Sequence, residues 1–254
     1  MRKVMVAAAA AVLMQLSVAT HASEEGQAEW GYSGDTGPAH WGELAPAFSL
    51  CGTGKNQSPI DIDPARNVIE AKQPPIKFDY TMLIPERIHH NGHTLQVDMR
   101  SGGEITVDGK VFKLKQFHFH TPGEHTIAGT PFPMEMHFVH QAEDGQLAVV
   151  AVPMMPGWPH PTVATLWQTL PQKKGDSFEL ANNVLRSLEI DKNVTNYYRY
   201  NGSLTTPPCS EGVIWIVKRD RVTVSKPQVK ALEKVLGEPN NRPLQPSNAR
   251  LVIE

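Results

Sequence analysis

A β-dominated single domain with a few peripheral helices is the fold class that the sequence predicts. Three observations carry it. Alternating apolar and polar runs follow one another from residue 76 to 141, punctuated by glycine turn signals. Two apolar runs, 146–152 and 213–217, have the length of buried strands. The clearest helical period, with start and stop signals, falls at 226–236.

The composition agrees. The chain has 254 residues with 21 Pro and 19 Gly, a turn-rich globular make-up. The formal charge of −2 offers neither a basic field nor an acidic tail, which argues against nucleic acid as a partner. Arg2 and Lys3 precede a mostly Ala, Val, Leu and Met run from Val4 to Val18, with small residues around Ala19 and Ala22. Residues 1–22 read as a cleaved secretory signal peptide, leaving 23–254 as one domain with a formal charge of −4. No later stretch has the length and apolarity of a membrane span, so the expectation is an exported, periplasmic protein. Export favours bridging Cys51 and Cys209, the only cysteines. The alternative is two free thiols or thiolate metal ligands. In the chain-entropy model such a bridge contributes roughly 5 kcal/mol.

Taken in order, residues 23–50 lack a period and read as an arm laid on a core through Trp30, Tyr32 and Trp41. Lys55 to Ile62 is a turn entering a short strand, and Pro59 invites a cis bond. His89, His90 and His93 read as surface residues in or beside the Asn91-Gly92 turn, followed by an alternating run at Leu95 and Val97. Asp108-Gly109 marks a two-residue hairpin, and Gly102-Gly103 and Asp144-Gly145 mark further turns. Strands at 114–120, 135–141 and 146–152 should lie side by side, antiparallel. Helices are expected at 162–170 and 177–188, then a strand from Tyr197 to Tyr200. Ser225 and Gln228 form a capping box for 226–236, which Gly237 ends.

Within this frame, Gln116-Phe117-His118-Phe119-His120 and Glu135-Met136-His137 carry the chemistry. Residues i and i+2 of a strand share a face, so His118 and His120 project together, and a paired strand could bring His137 beside them. Three neutral imidazoles with an open fourth position are what a catalytic zinc needs. The plain alternative is three unrelated core or surface histidines. Gln116 and Glu135 lie two residues before His118 and His137 and suit the role of orienting their other ring nitrogens.

Q-F-H-F-H-T-P-G-E-H-T, E-M-H-F-V-H and S-L-T-T-P-P-C together resemble the alpha-class carbonic anhydrases. So do W-G-Y, G-P-A-H-W and N-Q-S-P-I-D-I, in family order from Trp30 to about Arg250. The cysteine pair and the compact T-P-G-E-H stretch resemble the exported bacterial branch. The resemblance implies a large, twisted, mostly antiparallel central sheet with a conical zinc cleft. The implied activity is reversible hydration of carbon dioxide to bicarbonate and a proton by zinc-bound hydroxide, with weak esterase activity as a side reaction. It assigns His118, His120 and His137 to zinc. Thr205 orients the hydroxide, with Glu124 accepting the threonine proton. His93 is the proton shuttle, aided by waters touching Tyr32, Asn91 and Gln96. Val139, Val149, Leu204, Val213 and Trp215 line the carbon dioxide pocket, and Thr206 contacts bicarbonate. Cis bonds are implied at Ser58-Pro59 and Pro207-Pro208. Sulfonamides and anions are the expected inhibitors, and a homodimer is the state common among exported relatives.

Two positions depart from the animal enzymes. Lys115 replaces a residue that is often apolar and is expected at the cleft rim, and Thr121 stands where they carry tryptophan. His89 and His90 are close enough to His93 to share proton traffic. A non-catalytic binding module is the alternative from another class. The presence of all three ligand histidines, Thr205 and Glu124 weighs against it.

Overall fold

The computed structural model describes residues 28–71, 73–185, 193–220 and 222–254. The expected signal peptide lies outside the described residues.

One fourteen-stranded sheet dominates the molecule. Its central order is Ile84–His90, Leu95–Ser101, Lys110–His120, Met134–Gln141, Leu147–Pro156, Glu211–Lys218 and Tyr197–Ser203. The expected trio around residue 120 is therefore adjacent and antiparallel. Leu147–Pro156 and Glu211–Lys218 run parallel, which makes the sheet mixed but mostly antiparallel. Asp108 and Gly109 both take positive φ, 51° and 79°, as a tight turn matched to strand twist requires.

Alternation sorts the side chains into two cores. Phe112, Leu114, Phe117, Phe119, Met136, Phe138, Val150 and Ile216 face one way, onto the side covered by the Lys226–Leu236 helix. Val149, Ala151, Val213, Trp215 and Tyr200 face the other. Period-two alternation cannot carry both Leu114 and Phe117 to the same face. A bulge resolves this: Leu114 opposes His140 and Gln116 opposes Val139, so Lys115 is an extra, exposed residue. The bulge shifts the register by one, and His118 and His120 turn onto the cleft face.

The Lys226–Leu236 helix carries its capping box, and Gly237 closes it with φ 78°. The arm packs Trp30, Tyr32, Trp41 and Phe48 around the Cys51–Cys209 disulfide, which is formed. Ser58-Pro59 and Pro207-Pro208 are cis as implied, and so is Thr121-Pro122. Two expectations are corrected. Ser177–Glu179 is a strand, not the start of a helix, because its backbone pairs with the open edge at Arg87–His89; residues 186–188 of that expected helix lie outside the described residues. His89 and His90 belong to the Ile84–His90 strand, and His90 is buried rather than a surface residue.

Deleting Lys115 removes the extra residue and should leave a regular ladder with His118 and His120 still facing the cleft, so stoichiometric zinc binding, read by elemental analysis, should persist; its loss would contradict this register. Lys115→Ala, which keeps the residue count, should retain zinc binding as well. On the opposite face, burial holds the His140 imidazole at about 3, with Tyr80 Oη 2.5 Å from its Nε2. The unfolded chain would protonate this group near 6.5 while the folded chain keeps it neutral. Stability should therefore fall as pH drops from about 6.5 toward 3, by at most about 1.4 kcal/mol per pH unit for this group. Denaturant titrations of His140→Gln over that interval should show a shallower slope than the parent.

Candidate metal centre

The bulged strand and its neighbour set His118 directly opposite His137, and His120 opposite Glu135. A nitrogen from each of His118, His120 and His137 lies within 4.8 Å of the other two. The remaining ring nitrogens are committed. His118 Nδ1 donates to Gln116 Oε1 at 2.8 Å, His120 Nδ1 to the Asn240 carbonyl at 2.7 Å, and His137 Nε2 to Glu135 Oε1 at 2.8 Å. Each acceptor fixes a tautomer. The neutral rings are left with bare lone pairs on His118 Nε2, His120 Nε2 and His137 Nδ1.

Burial lowers the His118 pKa well below its ordinary value, and His120 and His137 add to the effect. Burial also lowers His120, against the pull of Glu124. Neutral imidazole is the ligating form. His120 Nε2 and Glu124 Oε2 are both buried without a hydrogen-bond partner among the described residues. Glu124 Oε2 lies 3.7 Å from His120 Nε2 and 3.8 Å from His137 Nδ1. Orphaned polar atoms cost roughly 1–3 kcal/mol each. Three converging imidazole lone pairs suit a borderline ion such as zinc. The donor set therefore fits the ion that the sequence led one to expect.

A second cluster, His125, Glu135 and His137, is comparably tight. It is already satisfied internally. Glu135 Oε1 accepts from His125 Nδ1 at 2.6 Å and His137 Nε2, while Oε2 accepts the backbone N–H groups of Glu124 and His125. Burial alone would raise the Glu135 carboxyl, but the two histidines hold it well below the usual carboxylate range. Because His125 Nδ1 donates, its Nε2 receives the Tyr200 hydroxyl at 2.8 Å. The Tyr200 and Ser58 hydroxyls share a bond of 2.9 Å, and Ser58 and Ser203 bond reciprocally through N–H and Oγ.

Ser203 ends its strand just before Leu204, Thr205 and Thr206. The Thr205 loop is closed by Cys209 N–H donating to the Thr206 carbonyl, and the disulfide anchors it to the arm. Thr205 is buried. The expected bond from its hydroxyl to Glu124 is not formed: Glu124 Oε1 takes the Arg242 backbone N–H, and Oε2 faces the imidazoles instead.

Val139, Val149, Leu204, Val213 and Trp215 fall in one apolar cluster, with Val149 opposite both Val139 and Trp215. His93 lies flat on Trp30, with centroids 3.6 Å apart, and Tyr32 meets both rings edge-on. Burial lowers the His93 pKa, and Lys174 and His90 lower it further. Asn91 Oδ1 receives the His93 and Thr94 backbone N–H groups, and its Nδ2 reaches Gln96 Oε1 at 3.4 Å.

Sequence reasoning missed Asn240 and Arg242. Asn240 Nδ2 donates to the His93 and Phe119 carbonyls, so it joins the His93 turn to the His120 strand. The buried Arg242 guanidinium donates to Gln57 Oε1 and to the Ser58 and Cys51 carbonyls. Burial brings its pKa down to about 10, which leaves it charged at neutral pH. Both lie in a polar, proline-containing tail that carried no local motif; only long-range pairing reveals their part.

Residues 36–254 match the family model for eukaryotic-type carbonic anhydrase. The chain is 42% identical to a carbonic anhydrase of Pectobacterium carotovorum over 242 residues, covering 95% of this chain and 97% of that one. It is 42% identical to a carbonic anhydrase of Neisseria gonorrhoeae over 246 residues, covering 96% and 95%. Among solved structures it is similar to the alpha-carbonic anhydrase of Thermovibrio ammonificans in complex with the inhibitor sulfanilamide. That match has 45% identity and a TM-score of 0.83, covering 90% of this chain and all of the other.

Glu135→Gln should weaken zinc binding by about 10–100-fold, measured by chelator competition, because the amide cannot accept from all four donors. An unchanged affinity would remove the orienting role assigned to Glu135.

Proposed function

The chain belongs to the eukaryotic-type (alpha) carbonic anhydrase family, and on that premise we propose that it is a zinc enzyme catalysing reversible hydration of carbon dioxide to bicarbonate and a proton. The observation that carries this reading is the set of three buried imidazoles, each held in one tautomer by its own acceptor, with their free lone pairs converging. Bound there, zinc would lower the pKa of its water to about 7 and would supply the nucleophile at neutral pH.

The chain's own residues do the rest. Val139, Val149, Leu204, Val213 and Trp215 offer apolar carbon dioxide a dry wall beside the histidines. Thr205, with Glu124 as proton acceptor, orients the nucleophile's lone pair toward the carbon, a positioning effect. That role requires Glu124 Oε2 to take the threonine hydroxyl, for which it is free of other hydrogen bonds among the described residues. Thr206 contacts bicarbonate. His93 takes the released proton from cleft water, with Tyr32, Asn91 and Gln96 ordering that water, and passes it to buffer. The same nucleophile would cleave activated esters weakly. Sulfonamides and small anions would compete at the centre.

Export to the periplasm is part of the proposal. The Cys51–Cys209 bridge suits an oxidising compartment. Among the described residues, no helix is long and apolar enough to cross a membrane.

Zinc-loaded protein should accelerate the pH relaxation of carbon dioxide solutions, read by stopped-flow with an indicator; the uncatalysed rate would refute the activity. Thr205→Val should lower kcat/KM by about 10²-fold through lost positioning. His93→Ala should lower kcat chiefly in dilute buffer, and added imidazole should restore part of it.

A further inference from the structure

The Ile84–His90 strand ends in two histidines that the mechanism above does not use, and alternation separates them. His90 faces inward with Ile88: it is buried, and its Nδ1 accepts the Gly92 N–H. His89 faces the other way. It opposes Gln96, Gln96 opposes His118, and His118 opposes His137. Directly opposed residues of antiparallel strands share a face. One rung of the sheet therefore runs from His89 to the candidate metal centre, two strand spacings or about 10 Å from His118 at the backbone.

Polar side chains line this wall from the His93 turn to His89, whose buried Nδ1 has no hydrogen-bond partner among the described residues. Asn91 Nδ2 donates to Gln96 Oε1, Gln96 Nε2 donates to Asp98 Oδ1 at 2.6 Å, and Asp98 Oδ2 lies 3.4 Å from His89 Nδ1. Gln96 thus links the turn that carries His93 to a second imidazole backed by a carboxylate. The His89 side chain keeps 18% of its surface exposed. The charged groups around it are Arg87 on its own strand, which donates to Asp98 Oδ2 at 2.8 Å, and His90 next in the chain. Asp98 stands on one neighbouring strand, and Glu179, opposite Arg87, on the other. Meanwhile His93 is stacked on Trp30 in a setting that disfavours its charged form.

We propose that His89, backed by Asp98, is a second proton-exchange group of the cleft, working in parallel with His93. The inference rests on the carbon dioxide hydration reading. A proton released at the centre travels through cleft water to His89 Nε2, while Nδ1 stays turned to Asp98. The imidazolium then returns to neutral by giving that proton to a buffer base. No other bond is made or broken.

The test compares zinc-loaded parent, His89→Ala, His93→Ala, the double variant and Asp98→Asn in dilute and concentrated buffer. Ring NMR of His89 across the pH range of activity accompanies it. In dilute buffer the double variant should turn over about tenfold more slowly than His93→Ala alone. That is less than the ~10²–10⁴ of a sole acid–base group, because two groups share the task. Its kcat/KM should hold, and imidazole should restore kcat. Asp98→Asn should shift the pH profile of turnover in dilute buffer. The His89 ring signal should change over the pH interval in which dilute-buffer turnover rises. A double variant no slower than His93→Ala, or a His89 signal flat across that interval, overturns the proposal and leaves the hydration activity standing. If His89→Ala and His89→Gln both lose kcat and kcat/KM together, with no rescue by imidazole, the residue is structural and the proposal also fails. An inactive zinc-loaded parent would instead sink the hydration reading itself.

Discussion

Everything at the centre depends on strand alternation and on the place where it is broken. Lys110–His120 must bury Phe112, Leu114, Phe117 and Phe119 on one face of the sheet, yet two of these sit at even positions and two at odd. The extra residue at Lys115 reconciles them and points His118 and His120 the opposite way, toward His137 on the next strand. The four aromatic and aliphatic side chains bury far more apolar surface than the histidines could, at roughly 1.5–3 kcal/mol each. Core packing thus holds the imidazoles in a position that they would not choose on their own account.

Once buried, the imidazoles impose a second constraint, since an unpaired polar atom in that setting is costly. Gln116, Asn240 and Glu135 each take one ring N–H, and this leaves the complementary lone pairs converging. The cost of burying the Glu135 carboxylate is offset by four donors, and the chain of bonds through His125, Tyr200, Ser58 and Ser203 ends at the Thr205 loop. Arg242 ties that region to the arm: its backbone holds Glu124, and its guanidinium holds Gln57 and the Ser58 and Cys51 carbonyls. The three histidines, Glu124 and the Thr205 loop are coupled through bonds that no single segment supplies.

What could be read from the sequence was what local chemistry dictates. Asp108-Gly109 announces a tight turn because few residues tolerate positive φ, and Ser225, Gln228 and Gly237 announce helix ends through their own side chains and backbone. The histidine pattern and the motifs beside it pointed to the centre. The bulge was equally present as a parity switch between Leu114 and Phe117, but it can be read only when the faces of the whole strand are compared. Ser177–Glu179 misled because an open sheet edge, formed by residues about 90 positions earlier, overrides local preference. Asn240, Arg242 and the His125–Tyr200 link were invisible for the same reason: their partners are 75 to 191 residues away.

The central claim is that His118, His120 and His137, and not the neighbouring His125–Glu135–His137 cluster, form the metal site. X-ray absorption at the zinc edge, paired with a zinc-bound crystal structure, tests it most directly. The account predicts His118 Nε2, His120 Nε2 and His137 Nδ1 at about 2.0–2.1 Å with one solvent-derived fourth ligand. Coordination by Glu135 or His125, or four ligands all drawn from the protein, would contradict it.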